Sequence, residues 1–520
     1  MDTILILDFG GQTAQLIARR IRELGVYSEI IPGDTGYDRI PDVIHMDDVK
    51  GFIFSGSPES VYDHNAPALD PRFLEDGRPI LGICYGLQRF THDLGGRVEQ
   101  KHTREFGRNR IKFRHQSPLF KDIPEGFISW MSHGDSIDTP APGFRIIAES
   151  EHHHPAAVSH EELPVYGLQF HPEVSHCEYG SEILSNFACE ICGAGKEWNM
   201  HMYMEEAAED IRKQAGSKPV LLLISGGVDS TVVGGMLLKS LPHDQVHLMY
   251  IDTGLMRKNE SVKVEKTLKA LGATHLHIIH AEKDFLDPLE GVSDPEKKRE
   301  IIGDAFIRVQ EREIARLGVE NSILAQGTLY TDMIESGKGV GNKAKVIKSH
   351  HNVRSPLVER KREQGLIIEP LSKLYKDEVR ALGIELGIDP DVVNRHPFPG
   401  PGLAVRIIGE ITREKLQILR EADHIFISEL KARGLYHNIW QAFVVLLPVR
   451  SVGVTGDARE YGYVCSLRAI ISRDGMTADV YPFEMNDLLE ISSRITNQVR
   501  HIGRVAYDIS SKPPATIEWE

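Results

Sequence analysis

Residues 219–230 read PVLLLISGGVDS: an apolar strand pattern, Pro219 to Ile224, runs directly into a Gly-rich turn and then into a helical pattern. In such a strand–turn–helix unit, consecutive backbone N–H groups and the positive end of the helix face one spot and bind an anion. No Gly-Lys-Ser/Thr sequence follows, so the turn is not a Walker A loop. We predict a phosphate-binding site formed by Ser225, Gly226, Gly227, Val228, Asp229 and Ser230.

Three side chains of this turn suit phosphate chemistry. The Asp229 carboxylate is a ligand type that Mg²⁺ prefers, and the hydroxyls of Ser225 and Ser230 can donate to phosphate oxygens. The competing interpretation is structural, because an Asp near a helix start also caps the helix. The apolar strand that enters the turn favours the phosphate site, with Asp229 as the metal ligand.

Short apolar runs alternate with helical-period stretches on both sides of this turn, which is typical of parallel α/β units. From His396 onward that rhythm is lost and strand and helix signals are mixed. We therefore predict an α/β fold with two doubly wound parallel-sheet domains, 1–195 and 200–395, followed by a smaller α+β C-terminal domain, 396–520. The predicted strands are Thr3–Leu7, Gly51–Phe54, Pro79–Ile83, Val165–Phe170, Pro219–Ile224, Val246–Ile251, His275–Ile279 and Ile323–Ala325.

Composition excludes several classes of protein. The chain has 520 residues, enough for several domains, and its 60 Lys+Arg against 75 Asp+Glu give a net charge of −15. That charge disfavours a nucleic-acid binder and a protein held on an anionic membrane. The five cysteines are sparse and odd in number, which argues against a disulfide framework. With no secretory or membrane-spanning pattern, we expect a cytoplasmic protein with no nucleic-acid and no membrane partner.

A second motif, Gly82-Ile83-Cys84-Tyr85-Gly86, places a nucleophile between two glycines at a strand-to-helix turn. The turn lifts the thiol above the sheet, and the helix N-terminus favours a thiolate. His171 begins a turn after another predicted strand, and Glu173 stands close enough to orient its ring. Each residue alone is more often structural, but together they predict a catalytic triad of Cys84, His171 and Glu173.

These residues resemble the class I glutamine amidotransferases, over about residues 1–190. The resemblance implies that Cys84 attacks the side-chain amide of glutamine, with His171 as the base and Glu173 holding its ring. It also implies that ammonia leaves and that water resolves a γ-glutamyl thioester. Residues that help to seat glutamine would be Gln88, Ser132, His133 and Asp135.

The oxyanion turn departs from the family pattern, which reads Ser-Gly-Gly-Pro. Here it reads Ser55-Gly56-Ser57-Pro58. The resemblance places the oxyanion donors at the backbone N–H groups of Ser57 and Tyr85, so the substitution keeps the donor. If the turn requires a positive φ, however, Ser57 carries strain that glycine would not.

The phosphate turn matches the ATP pyrophosphatase family, whose members split ATP between its α- and β-phosphates and adenylate an acceptor oxygen. The resemblance implies further nucleotide contacts at Ile251 and Gly327, at the ends of the next strands. Lys345 and Lys348, in a basic segment, would belong to a lid loop that neutralises the leaving pyrophosphate. A solvated basic loop is the equally weighted alternative for that segment.

The order of the two motifs, with residues 369–371, 396–402 and 511–520, closely resembles the family of glutamine-hydrolysing GMP synthetases over essentially the whole chain. The resemblance implies that ATP and Mg²⁺ adenylate xanthosine 5′-monophosphate (XMP), which ammonia from glutamine then converts to GMP. It also implies a homodimer formed by the C-terminal domain. The XMP contacts would be Arg299, Gln441, Asp457, Lys512 and Glu518. Two alternatives stay open: another glutamine-fed ATP-pyrophosphatase ligase, and a non-catalytic nucleotide-binding protein.

Overall fold

The computed structural model describes residues 1–11, 13–335, 356–455, 458–472 and 477–520. Asp457, Lys345 and Lys348, three of the predicted site residues, lie outside the described residues. The chain divides into two compact units. The first contains Met1–Tyr203, and the second contains Met204–Met333 and the described residues after position 355. The division into three domains stays a prediction.

The first unit is built on one nine-stranded sheet, in the order β2-β1-β3-β4-β9-β8-β7-β5-β6. Its strands are β1 (Thr3–Asp8), β2 (Tyr27–Pro32), β3 (Val49–Phe54), β4 (Ile80–Ile83), β5 (Arg97–Phe113), β6 (Ile128–Thr139), β7 (Phe144–Ser150), β8 (Pro155–His160) and β9 (Val165–Leu168). Its helices are α1 (Ala14–Glu23), α2 (Arg72–Glu75), α3 (Tyr85–Asp93) and α4 (Gly180–Ser185), and α5 (Met200–Ala215) starts at its end.

The half of this sheet formed by β2, β1, β3, β4 and β9 is parallel. Its central strands are buried on both faces, as expected where helices cover a parallel sheet. The other half, from β8 to β6, is antiparallel. The predicted α/β class is confirmed, and the antiparallel half is an addition that the sequence did not indicate.

The second unit contains a five-stranded parallel sheet in the order β12-β11-β10-β13-β14. Its strands are β10 (Val220–Ile224), β11 (Val246–Asp252), β12 (His275–His280), β13 (Ile323–Ala325) and β14 (Ile367–Ile368). The helices around it are α6 (Val228–Ser240), α7 (Glu260–Ala270), α8 (Glu282–Leu286), α9 (Pro295–Leu317), α10 (Tyr330–Glu335), α11 (Pro356–Glu363), α12 (Lys376–Glu385) and α13 (Pro390–Val393).

The same unit ends in a four-stranded mixed sheet with two long helices, the predicted α+β region. These elements are α14 (Arg413–Ala432), β15 (Gln441–Thr455), β16 (Ala458–Ile471), β17 (Asp479–Val480), α15 (Met485–Gln498) and β18 (Ile502–Tyr507). One continuous apolar core joins β10 and β11 to α9, α14 and β15. Because both sheets share that core, we expect them to unfold together.

Each predicted strand is present, with its ends moved by at most about two residues. No helix among the described ranges is both long and apolar enough to cross a membrane.

Candidate functional site

Cys84 stands at the elbow between β4 and α3, with a φ of 53° that non-glycine residues rarely adopt. A Cβ placed on Gly86 would lie 2.3 Å from the carbonyl oxygen of Phe54, so the elbow requires glycine there. The packing around the turn therefore holds a strained backbone at the nucleophile. This is the geometry expected from the glycine-flanked motif.

His171 and Glu173 reach the same place from the end of β9. β9 pairs with β4, and the backbone N–H of Cys84 donates to Leu168 at 2.7 Å, so both strand ends open at one edge. The Nδ1–H of His171 donates to Oε1 of Glu173 at 2.7 Å. The His171 ring and the Cys84 side chain lie on the same side of Gly56, where an added Cβ would be 3.5 Å from Cε1 of His171 and 3.9 Å from Cβ of Cys84. The structure thus brings the three predicted triad residues together.

The electrostatics of the triad favour a charged ring. Burial alone would lower the pKa of His171, but the Glu173 carboxylate and the Cys84 side chain outweigh it and hold that pKa well above 6.5. Glu173 is wholly buried, so water does not screen its charge. An imidazolium beside the thiol stabilises a thiolate, the reactive form of cysteine.

The predicted oxyanion turn lies against this pair. A Cβ on Gly56 would be 3.5 Å from Cε1 of His171. Ser57 does not have a positive φ, so the strain considered for it is absent, and the strained residue is Cys84 instead. Tyr85 is the first residue of α3, where backbone N–H groups have no partner within the helix. Gly56, the residue before Ser57, therefore lies next to Cys84, and the oxyanion roles of the Ser57 and Tyr85 N–H groups stay a prediction.

The residues expected to seat glutamine are partly brought together. The Gln88 amide donates to the backbone oxygen of Asp135 at 2.8 Å, and Nδ1 of His133 lies 3.0 Å from the same oxygen. The Asp135 carboxylate accepts from Ser60 at 2.5 Å. Ser132 is exposed, whereas its neighbour His133 is buried, because successive residues of β6 point to opposite faces.

Sequence reasoning missed Gln169 at this site. Its side chain is wholly buried, and its amide nitrogen donates to Sγ of Cys84 at 3.7 Å. Its position two residues before His171, at the same strand end, is the signal that could have identified it.

The phosphate turn has the predicted form, with β10 entering and the 13-residue α6 leaving. Gly226 has a φ of 76°, which this sharp turn needs and glycine supplies. The hydroxyls of Ser225 and Ser230 lie 3.1 Å apart. Gly327 packs beside Asp229, whereas Ile251 is buried in the apolar core, so its side chain serves the fold.

Asp229 is engaged by a residue that the sequence did not single out. Nζ of Lys376, at the start of α12, lies 2.5 and 2.6 Å from the two Asp229 carboxylate oxygens. Arg395, also missed, donates to the backbone oxygen of Gly226 at 2.5 Å. Two cationic side chains thus lie beside the turn where an anion would bind, one paired with Asp229 and the other with Glu260.

The residues present fit a magnesium ion that is held mainly by substrate. Mg²⁺ commonly binds one or two carboxylates plus substrate phosphates and water. Asp229 supplies such a carboxylate next to the phosphate turn, and its partial exposure leaves it accessible. Across the described part of the chain, no group of three or more His, Cys, Asp or Glu is arranged to hold a metal by itself.

Two of the predicted XMP residues meet near the C-terminus. The Gln441 amide donates to Oε1 of Glu518 at 2.9 Å. Arg406, which the sequence did not indicate, is wholly buried. Its guanidinium donates to both carboxylate oxygens of Glu518, at 2.8 and 3.1 Å. Lys512 pairs through its backbone with Ala478. The carboxylate of Glu518 is thereby fixed in direction.

Arg299 is not brought to this cluster. It pairs with Glu296, one turn earlier on the surface of α9, at 2.9 Å. The preceding residue, Lys298, is instead wholly buried and contacts Glu520 at 2.5 Å.

Comparisons with known proteins agree with this division of sites. Family models match residues 5–191 (glutamine amidotransferase class-I), 208–297 (asparagine synthase) and 428–519 (GMP synthase C terminal domain). A GMP synthase (glutamine-hydrolyzing) of Chlorobium luteolum is 51% identical, covering 100% of both chains. Those of Caldicellulosiruptor saccharolyticus and Geobacillus kaustophilus are each 49% identical, covering 100% of this chain and 99% of theirs. Identity of that order from end to end means that the chain belongs to the glutamine-hydrolysing GMP synthase family.

Proposed function

We propose that this chain converts XMP to GMP, using ammonia from glutamine and cleaving ATP to AMP and pyrophosphate. The observation that carries the proposal is the pairing, in one chain, of a Cys84–His171–Glu173 triad with a phosphate turn that contains Asp229. The first supplies a nitrogen nucleophile, and the second activates an oxygen as a leaving group. GMP forms only when both the ammonia and the activated oxygen are present.

The ammonia half begins with the Cys84 thiolate. Its sulfur attacks the amide carbon of the glutamine side chain, and the backbone N–H groups of Ser57 and Tyr85 stabilise the oxyanion. The His171 imidazolium then gives its proton to the departing ammonia, leaving a γ-glutamyl thioester. Neutral His171 takes a proton from water, which attacks the thioester and releases glutamate. The buried Glu173 keeps the ring oriented through both steps.

The activating half uses the phosphate turn. Backbone N–H groups at residues 226–228 and the N-terminus of α6 bind the ATP phosphates, with Lys376 and Arg395 adding positive charge. The 2-oxygen of XMP attacks the α-phosphorus, and the α–β phosphate bond breaks to release pyrophosphate. Asp229 would hold Mg²⁺, which when bound neutralises charge on that leaving group. Ammonia then displaces AMP from C2 and forms GMP.

The acceptor would be positioned by the C-terminal cluster. Glu518, held by Arg406 and Gln441, presents a carboxylate of fixed direction that can accept from purine N–H groups or ribose hydroxyls. Lys512 would bind the 5′-phosphate. We also propose, from the family, that the protein is a cytoplasmic homodimer that takes XMP, ATP and glutamine as its partners.

A direct assay tests the proposal. Purified protein is given XMP, MgATP and glutamine, and AMP, pyrophosphate and glutamate are followed together, with inosine monophosphate as the control acceptor. We expect all three products with XMP and no AMP with inosine monophosphate. Glutamine hydrolysis without XMP-dependent pyrophosphate would reject the ligase assignment. AMP release with another acceptor but not with XMP would favour a different glutamine-fed ligase.

A further inference from the structure

Gln169 is the one buried amide described here that contacts the nucleophilic sulfur. Its side chain is wholly buried, and Nε2 donates to Sγ of Cys84 at 3.7 Å, a normal length for a hydrogen bond to sulfur. Its backbone is fixed as well, because its N–H donates to Ala156 of β8 at 2.9 Å. The side chain therefore has little freedom to turn away from Cys84.

A second amide decides which end of Gln169 faces the sulfur. Nε2 of Gln88 donates to the backbone oxygen of Asp135 at 2.8 Å and lies 3.4 Å from Oε1 of Gln169. Because Oε1 of Gln169 accepts from Gln88, its NH₂ group must point the other way, toward Cys84. Gln88 thus donates to both Asp135 and Gln169, and Gln169 in turn donates to Cys84.

We propose that Gln169 acts with His171 to stabilise the Cys84 thiolate and to hold its sulfur in the direction of attack. The proposal rests on the glutaminase half of the proposed function. The elbow fixes the backbone of Cys84 but leaves the rotation of its side chain open, and the Gln169 donor favours one position for the sulfur. A hydrogen bond to an ionised sulfur is stronger than one to a neutral thiol, so Gln169 favours the reactive form.

The same bond assists both chemical steps. Stabilising the thiolate raises its fraction but lowers its intrinsic nucleophilicity. Nucleophilicity falls by only about half a logarithmic unit for each unit of thiol pKa, so a tenfold larger thiolate fraction costs about threefold in nucleophilicity. The rate of attack therefore gains about threefold. In the second step the sulfur leaves as a thiolate, and the donor lowers the barrier again. With its orienting effect added, we expect loss of the donor to lower the glutamine-dependent kcat about tenfold, with less change in the KM for glutamine.

The test uses two substitutions in the full-length protein. Gln169→Met keeps the length and removes the donor, whereas Gln169→Glu keeps the shape and places a carboxylate against the sulfur. Alkylation by iodoacetamide is followed from pH 5 to 10, with Cys84→Ala run in parallel to subtract the other cysteines. Gln310→Met, which removes a buried amide from α9 in the second unit, is the matched control. Synthesis with added ammonia is measured for every variant.

We expect the midpoint of the alkylation profile to move up by about one pH unit in Gln169→Met and further in Gln169→Glu, and not in Gln310→Met. Ammonia-dependent synthesis should stay within about twofold of the parent. An alkylation profile unchanged in both Gln169 variants would overturn the proposal, whatever happens to synthesis. If the parent makes no GMP from either nitrogen source, the proposed function fails, while the alkylation profile still decides the role of Gln169.

Discussion

Glu173 lies wholly out of solvent with one carboxylate oxygen 2.7 Å from Nδ1 of His171. Burial opposes charge on the ring, so a raised pKa means that the carboxylate and the Cys84 side chain more than offset the loss of hydration. The same interaction that prepares the catalytic base is therefore also a contribution to stability, and that contribution depends on pH.

The first prediction concerns that pH dependence. A histidine whose folded pKa exceeds 6.5 adds stability that is fully present below pH 6.5 and is lost as the pH rises through its folded pKa. We expect Cys84→Ala, which keeps the Glu173 carboxylate beside the ring, to lose thermal stability above pH 6.5. Adding Glu173→Gln should flatten that decline, because the carboxylate that raises the pKa is gone. Calorimetric Tm values from pH 6 to 9 measure both.

His152→Asn in the same background is the control, because this histidine is exposed and belongs to no site described here. It should leave the pH slope unchanged. Equal slopes with and without Glu173→Gln would mean that the carboxylate does not hold the proton on His171.

The second prediction separates the two half-reactions. Cys84→Ala should lower glutamine-dependent GMP formation by at least about a thousandfold, because no other nucleophile occupies the elbow. Synthesis from added ammonium chloride at pH 8.5 should stay within about twofold of the parent. Initial rates with each nitrogen source measure the difference. Cys177→Ala, a buried thiol outside the elbow, is the control, and loss of both activities in Cys84→Ala would contradict separable half-sites.

The placement of Cys84, His171 and Glu173 and the form of the phosphate turn could be predicted because each depends on local sequence. Cys84 needs glycines at fixed positions, and His171 and Glu173 are two residues apart at a strand end. Such patterns report backbone geometry directly. The antiparallel strands β5 and β6 could not be predicted, because the charged, irregular sequence of residues 97–113 carries no alternating pattern.

Contacts between side chains that lie far apart in sequence could not be predicted either. Lys376 meets Asp229 across 147 residues, and Arg406 meets Glu518 across 112. Lys298 and Arg299 look equivalent in a basic run, yet one residue turns a helix by about 100°, enough to bury the first and leave the second partly exposed. Only the tertiary fold distinguishes them.

The third prediction concerns Asp229. Asp229→Asn keeps the shape but weakens any bond to Mg²⁺ and frees Lys376 from its partner. We expect pyrophosphate release to fall by at least about a hundredfold with either glutamine or ammonia, because adenylation precedes both. Glutamine hydrolysis should be much less affected.

Pyrophosphate release and glutamate formation in one reaction mixture give this comparison. The matched control is Asp244→Asn, an exposed carboxylate on the same unit. Unchanged pyrophosphate release in Asp229→Asn would remove this residue from the metal site.

The fourth prediction tests the C-terminal cluster. Glu518→Gln keeps the shape of the side chain but takes the counter-charge from the buried Arg406. We expect the KM for XMP to rise about tenfold or more, with the KM for ATP within about twofold. Lys512→Ala should likewise raise the KM for XMP more than the KM for ATP. Glu300→Gln, on the exposed surface of α9, is the control, and a larger effect on ATP than on XMP would place Glu518 elsewhere.

The fifth prediction concerns the buried pair of Lys298 and Glu520. Nζ of Lys298 is held by the Glu520 carboxylate at 2.5 Å and by the backbone oxygen of Ile407 at 2.8 Å. Glu520→Gln leaves a buried ammonium without its counter-charge, a loss of about 3 kcal/mol in the free energy of unfolding at neutral pH. Burial lowers the pKa of Lys298, so the loss should shrink as the pH rises through that pKa and the ammonium gives up its proton.

Lys298→Met combined with Glu520→Gln completes the cycle, because the double variant has no buried charge left to stabilise. It should regain most of the stability that Glu520→Gln alone loses. Urea unfolding at pH 7 and pH 9.5 compares the parent, Lys298→Met, Glu520→Gln and the double variant. If the two single losses simply add in the double variant, Lys298 and Glu520 are not coupled, and the ammonium is held by the backbone oxygens alone.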